Sequence, residues 1–191
     1  MLEQRKQLET ELVALYEAHA PGMTRYAGSL THCADLARDA VQETFVRYFV
    51  ERSYGRLIEH PRGWLFQVLR RYLFDGKSSA SFTREVPEEN LREVSDPGIG
   101  PENMAQQAEM AGHLTASLSI RERECLDLRA EGLSYLEIAE VMGLKTGTVG
   151  AMLARAHQKI RTAAEQSSTT EADVAGAVRY LFNGGHTCPS T

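Results

Sequence analysis

The strongest constraint on this chain is a set of helix boundaries written between Ser119 and Arg161. Ser119 is followed three residues on by Glu122, and Ser134 by Glu137. Each pair fits a capping box, in which hydroxyl and carboxylate satisfy the free N–H groups at a helix start. Gly132 and Gly143 suit the left-handed C-terminal stop that glycine adopts at little cost. The stretch 134–161 therefore predicts helix, short turn, helix. Its first helix turns Ile138, Val141 and Met142 toward a core, with small Ala139 allowing close contact.

In the second helix, Val149, Met152, Leu153, Ala156 and Ile160 share one arc. The opposite arc carries Gly147, Thr148, Gly150, Ala151, Ala154, Arg155, Gln158, Lys159 and Arg161. Small residues flanked by cations can lie close against a groove and hold phosphates. An αα-hairpin with a solvated basic face is the plainer alternative. It does not require so many small residues on an exposed side.

Elsewhere strand signals are scarce and helical periodicity is common, which predicts an all-α protein. Helices are expected over 5–19 and 22–31, broken at Pro21-Gly22, then over 34–50 and from about Trp64 to Asp75. Residues 53–63 read as a loop with Gly55, Pro61 and Gly63. Residues 78–100, rich in Ser, Pro, Gly and acid, read as a linker. A helix can restart after Pro101. The expected organisation is two small helical domains, 1–80 and 101–165, joined by an acidic linker, 81–100. The second domain carries the helix-turn-helix, and an extension, 166–191, follows.

Two further surfaces stand out. In 64–77, Leu65, Phe66, Val68, Leu69, Tyr72 and Leu73 form a buried arc. Trp64, Gln67, Arg70, Arg71, Phe74 and Lys77 lie opposite. Cations interleaved with exposed aromatics suit single-stranded nucleic acid, where bases stack and phosphates pair. Equally, Trp64 and Phe74 could fill a core while the arginines are solvated. In 34–50, Ala37, Ala40, Val41, Thr44, Phe45, Tyr48 and Phe49 make the core stripe. Asp35, Asp39, Gln42 and Glu43 lie opposite with Val46 and Val50, a mixture that fits a protein-docking face.

The formal net charge of −5 excludes a uniformly basic nucleic-acid binder but not a locally basic one. Residues 81–112 hold 2 basic and 7 acidic residues, which matches the size of the whole imbalance. Within 145–161 stand Lys145, Arg155, Lys159 and Arg161 with no acid among them. No apolar run approaches the ~18 residues of a membrane span. The stretch MLEQRKQLETEL lacks an apolar signal core. Cys33, Cys125 and Cys188 read as reduced thiols, so a cytoplasmic location is expected.

These motifs together resemble the extracytoplasmic-function (ECF) sigma factors of bacterial RNA polymerase. Residues 35–49, DLARDAVQETFVRYF, resemble the polymerase-binding helix of sigma region two. Residues 60–75, HPRGWLFQVLRRYLFD, resemble the adjoining segment that melts and reads the minus-ten element. Residues 118–161 resemble region four, which reads the minus-thirty-five element. The likeness covers about 10–80 and 101–163 in the family's order.

The resemblance implies that Asp35, Asp39, Gln42, Glu43, Phe45 and Val46 bind core polymerase. It implies that Trp64, Gln67, Arg70, Arg71, Phe74 and Lys77, with loop 53–63, contact the opened minus-ten strand. Lys145, Thr146, Thr148, Gly150, Ala151, Arg155, Gln158, Lys159 and Arg161 would contact the upstream duplex. The acidic linker would thread the polymerase cleft. The partners implied are core polymerase, promoter DNA and, in some members, an anti-sigma factor, with no membrane. The protein itself would catalyse no bond change.

Two departures shape the expectation. Gly147-Thr148-Val149 is followed by Gly150, Met152, Ala154 and His157, leaving few side chains to read bases, so phosphate positioning and close fit should dominate. Arg71 stands where the family pattern has Asn.

No cofactor or metal is expected. His186 and Cys188 make at most half a zinc site, and no P-loop, nucleotide-binding glycine signature or Ser/His/Asp set is present. A stand-alone helix-turn-helix regulator is the alternative function, although the long first domain argues against it. In the tail, Val174, Ala177, Val178, Leu181 and Phe182 fall at helical spacing. The expectation is that 172–182 packs on one of the two DNA-binding domains and restrains it, with plain disorder or docking to another protein as the alternatives.

Overall fold

The computed structural model describes residues 2–75 and 110–166. Among the described residues every regular element is a helix. Helix α1 spans Leu2–Thr31, α2 Ala34–Ser53 and α3 Pro61–Asp75. Residues 110–116 form α4. Helices α5 (Ile120–Ala130), α6 (Tyr135–Met142) and α7 (Thr146–Gln166) follow. The expected linker 81–100, the restart after Pro101, Lys77, the His186/Cys188 pair and the tail helix 172–182 lie outside the described residues.

The expected break at Pro21-Gly22 is overturned: α1 runs through both residues. Proline removes one backbone donor and strains the turn before it. Burial on both sides outweighs this, because Ala20, Met23, Tyr26 and Ala27 all lie in the core. Helix α3 also begins at Pro61, three residues before the expected start; proline is well suited to a first helical position.

Helices α1 and α2 form an antiparallel hairpin. Tyr16 faces Phe45 with ring centroids 5.0 Å apart. Further along, Glu11 accepts from Tyr48 at 2.6 Å and pairs with Arg52 at 3.0 Å. His32 takes a left-handed φ of 53° at the corner. Helix α3 packs across both, through Leu65, Phe66, Leu69 and Leu73.

Both predicted capping boxes are present. Ser119 and Ser134 accept from the backbone of Glu122 and Glu137, whose carboxylates bond back to the serine N–H groups. Gly132 and Gly143 have φ of +84° and +65°, the left-handed conformation expected of each stop. Leu144 N–H donates to the Ala139 carbonyl at 2.8 Å, closing the turn of the helix-turn-helix. Buried Val149, Leu153 and Ala156 seat α7 on α5 and α6.

The two groups of helices are not separate bodies. Buried side chains of α1–α3 and of α5–α7 form one contiguous apolar cluster. Helix α6 packs on α3, and α5 on α1. Ala111 and Leu114 of α4 make a small second cluster with Ile160, Ala163 and Ala164 of α7.

Candidate polymerase and nucleic-acid interfaces

On α2, Asp35, Asp39, Gln42 and Val46 are exposed, as a docking face requires. Asp35 pairs with Arg38, and Glu43 with Arg47 at 2.8 Å. Phe45 does not share that face. It is buried to 5% exposure, its ring against Tyr16, so any role it has in docking is to support the helix. Leu36 and Val50 are exposed on the same helix. Leu36, Asp39, Glu43, Val46 and Val50 follow alternating steps of three and four. That is the spacing of a seam that receives another helix. Leu36 escaped the sequence reading because it was not set against this repeat.

On α3, the structure divides the two readings of Trp64. The ring is partly buried and meets Tyr48 edge-on, with centroids 5.6 Å apart. It fills the core margin and is not a free stacking platform. Arg71 is exposed. Arg70 is not free: it binds Glu124 of α5 through Nε at 2.7 Å and Nη2 at 3.4 Å. Its guanidinium also lies 4.5 Å from the centre of the Phe74 ring. Gln67 reaches the Glu140 carbonyl of α6 at 3.4 Å.

On α7, Lys145, Thr146, Thr148 and Ala151 are exposed, and nothing stands within 4 Å of a side chain added at Gly147. Gly150 is partly covered by the Tyr135 ring. Arg155 and Lys159 both reach Glu122, at 3.4 and 2.7 Å, and Lys159 also caps the Ser117 carbonyl. The Lys159 ammonium and the Ser119 backbone hold the Glu122 carboxyl at about 2. Arg161 bonds Gln158 at 2.5 Å.

The sequence reading missed a set of carboxylates. Glu124 and Asp127 of α5 and Glu131 at its C-cap stand at i, i+3 and i+7, and all three meet the first group of helices. Glu124 accepts from Tyr26 Oη at 2.8 Å as well as from Arg70. Asp127 accepts from Ser29 Oγ at 2.8 Å. Glu131 takes Arg25 in a two-pronged contact at 2.8 and 2.6 Å. On α6, Glu137 receives Arg62 at 3.1 and 2.7 Å. This pairing and the capping box hold the Glu137 carboxyl at about 2. Burial acts the other way on Asp127, pushing its carboxyl up to about 6. The spacing of the three acids was visible in the sequence; what they would face was not.

Against known proteins, the family description Sigma-70 region 2 matches residues 15–83, and Sigma-70, region 4 matches 108–160. The ECF RNA polymerase sigma factor SigL of Mycobacterium tuberculosis is 31% identical over 160 residues, spanning 82% of this chain and 90% of its own. SigM of Bacillus subtilis is 29% identical, spanning 77% of this chain and 91% of its own. The fold resembles that of the sigma factor RpoE in its complex with the anti-sigma factor NepR from Bartonella quintana. That likeness has a TM-score of 0.58 and 22% identity, over 84% of this chain and 98% of that one. The chain belongs to the ECF class of RNA polymerase sigma factors, a class of transcription initiation factors. No described helix is long and apolar enough to cross a membrane.

Proposed function

We propose that the chain works in the cytoplasm, binding core RNA polymerase and directing it to particular promoters without itself catalysing a reaction. The exposed seam of α2 supports the first part. Its valines and leucine offer apolar area while Asp39 and Glu43 add charge between them. A partner helix rich in cations fits such a seam.

The remaining roles divide between the two groups of helices, taken as domains 1–80 and 101–165 with 81–100 as linker and 166–191 as extension. Gln67, Arg70, Arg71, Phe74 and Lys77 contact the opened minus-ten strand. Trp64 supports them from the core margin. Lys145, Thr146, Thr148, Gly150 and Ala151 enter the upstream groove closely, while Arg155, Gln158, Lys159 and Arg161 hold phosphates. An anti-sigma factor is a further partner of the kind with which RpoE was crystallised.

The observation that carries this reading is the bare start of α7. Small and hydroxylated side chains there stand free to approach a groove, beside exposed Lys145. Reconstitution with core polymerase tests it. The expected result is co-elution with core and promoter-dependent transcripts made only when the chain is added. Tight duplex binding as a dimer, with no affinity for core, would support the stand-alone regulator instead.

A further inference from the structure

Between α1, α3 and the C-terminal end of α5 lies a cavity of about 300 Å³. That is the lower end of the size range of small-molecule sites. We propose that it binds a small phosphate monoester, with Arg25 and His19 on the phosphate and Ala18, Phe66 and Ala130 against the organic body. This site is separate from the polymerase and promoter roles.

The cavity holds hydrogen-bond donors that the protein does not use. Arg25 gives Nε and Nη2 to Glu131, at 2.8 and 2.6 Å, and its Nη1 has no protein partner among the described residues. The same contact fixes the guanidinium in advance, as a preformed site requires. His19 lines the cavity and makes no hydrogen bond among the described residues. No buried side-chain nitrogen or oxygen among them lacks a partner, so the His19 ring nitrogens are accessible. Arg62 stands at the rim. It gives Nε and Nη2 to Glu137 and the Gly132 carbonyl, while its Nη1 lies 3.8 Å from where a Cβ of Gly132 would stand. Burial and the nearby Arg62 hold the His19 imidazole below its ordinary range. The ring is therefore neutral near pH 7 and offers one N–H.

Two guanidiniums and an imidazole N–H suit an oxygen-rich head. Arg25 and Arg62 are balanced by Glu131 and Glu137, so unspent donors, and not net charge, select the ligand. Charge-assisted bonds from arginine to phosphate are roughly twice as strong as neutral ones. A phosphate monoester brings three terminal oxygens, as many as the donors left over, where a carboxylate brings two. Glycine keeps the space open. Gly22 and Gly132 both border it. A Cβ at buried Gly22 would stand 2.3 Å from Glu131 Oε2 and 3.2 Å from its Cδ, displacing the carboxylate that holds Arg25. This glycine lies inside a long helix, where most residues would favour the helix more.

The test uses the full chain without polymerase or DNA. Phenyl phosphate carries head and body, inorganic phosphate the head alone, and benzoate a carboxylate on the same ring. Isothermal titration calorimetry should show one phenyl phosphate per chain, with Kd below about 1 mM. Inorganic phosphate and benzoate should each bind about fivefold or more weakly, the first lacking apolar area and the second an acceptor. The walls come from both groups of helices, so an occupied cavity ties them together. At about ten times its Kd, phenyl phosphate should raise Tm by about 3–6 °C. Ala18→Leu fills the cavity from an exposed helical position, keeps every charge and should abolish binding. His19→Leu should weaken it by about tenfold. No binding up to about 10 mM overturns the proposal, as does benzoate binding as tightly as phenyl phosphate. Undiminished binding in either variant also overturns it, because the anion then sits elsewhere on the chain. Circular dichroism checks that each variant is folded, and Ala18→Leu decides if His19→Leu is not.

Discussion

At the scale of single residues, Glu122 and Trp64 make opposite demands on the proposed DNA contacts. Glu122 is almost wholly buried and shares its charge between Arg155 and Lys159. It also completes the α5 capping box, a duty glutamine can perform. Glu122→Gln should therefore keep the helix and release two cations. The expected outcome is tighter upstream-duplex binding, with a salt slope steeper by up to about two. Adding Arg155→Ala should return about one unit of that slope, without changing which sequence is preferred. Titration of binding against salt checks both.

Trp64 belongs to the core margin, so its removal should read first as lost stability. A large ring removed from a core costs about 3–5 kcal/mol, and a partly exposed one less. Trp64→Ala should lower Tm by roughly 5–10 °C, at about 2–4 °C per kcal/mol for a chain this long. Thermal melting of the free protein is the measurement. An unchanged Tm with impaired promoter opening would return Trp64 to the nucleic-acid surface.

At the scale of elements, pH separates two kinds of carboxylate. Glu122 and Glu137 are held at about 2, below the ordinary carboxylate range. Their charged forms favour the fold, so that contribution is complete above the ordinary range and is lost as pH falls toward 2. Asp127 has the opposite sign. Lying among Ser29, Arg123, Glu124 and Glu131, it is pushed up to about 6 by burial. Its neutral form favours the fold, so its contribution is present at low pH and fades as pH rises through about 6. Asp127→Asn should consequently raise Tm at pH 8 and leave it nearly unchanged below pH 4, while Glu137→Gln should flatten the acid limb. Melting curves across pH test the pair.

The elements also show what the sequence could tell. The caps at Ser119 and Ser134 and the stops at Gly132 and Gly143 depend on neighbours within one turn, and they were legible residue by residue. The α2 and α7 core stripes were legible for the same local reason, save Phe49, which is only partly buried. Pro21-Gly22 was misread because the forces on it are remote. Proline's local penalty is plain in the sequence; the burial of Met23 and Tyr26 against other helices is not. Gly22 is explained by Glu131, more than a hundred residues away. Arg70 reads as a free cation until Glu124 is seen beside it.

At the scale of the whole molecule, one apolar cluster runs through both groups of helices. A chain with two independent cores would unfold in two steps. A shared core couples them, so calorimetry of the free protein should show a single transition, with equal calorimetric and van't Hoff enthalpies. Arg25→Glu should split or broaden that transition, because it weakens the contact through which the groups melt together. Two resolved transitions in the unmodified chain would mean that the shared core contributes little.

That shared core is held by helices joined only through residues 76–109. As long as the chain is continuous, its closure is a unimolecular event and does not feel dilution. Lengthening the connection would matter little, since each doubling of a loop costs only about 0.6 kcal/mol. A single peptide-bond cut in the connection would matter a great deal. It would exchange an effective local concentration of about millimolar order for whatever the solution supplies. The severed pieces would become a receptor and its ligand, and the piece bearing Glu124, Asp127 and Glu131 could be washed away or added back in measured doses.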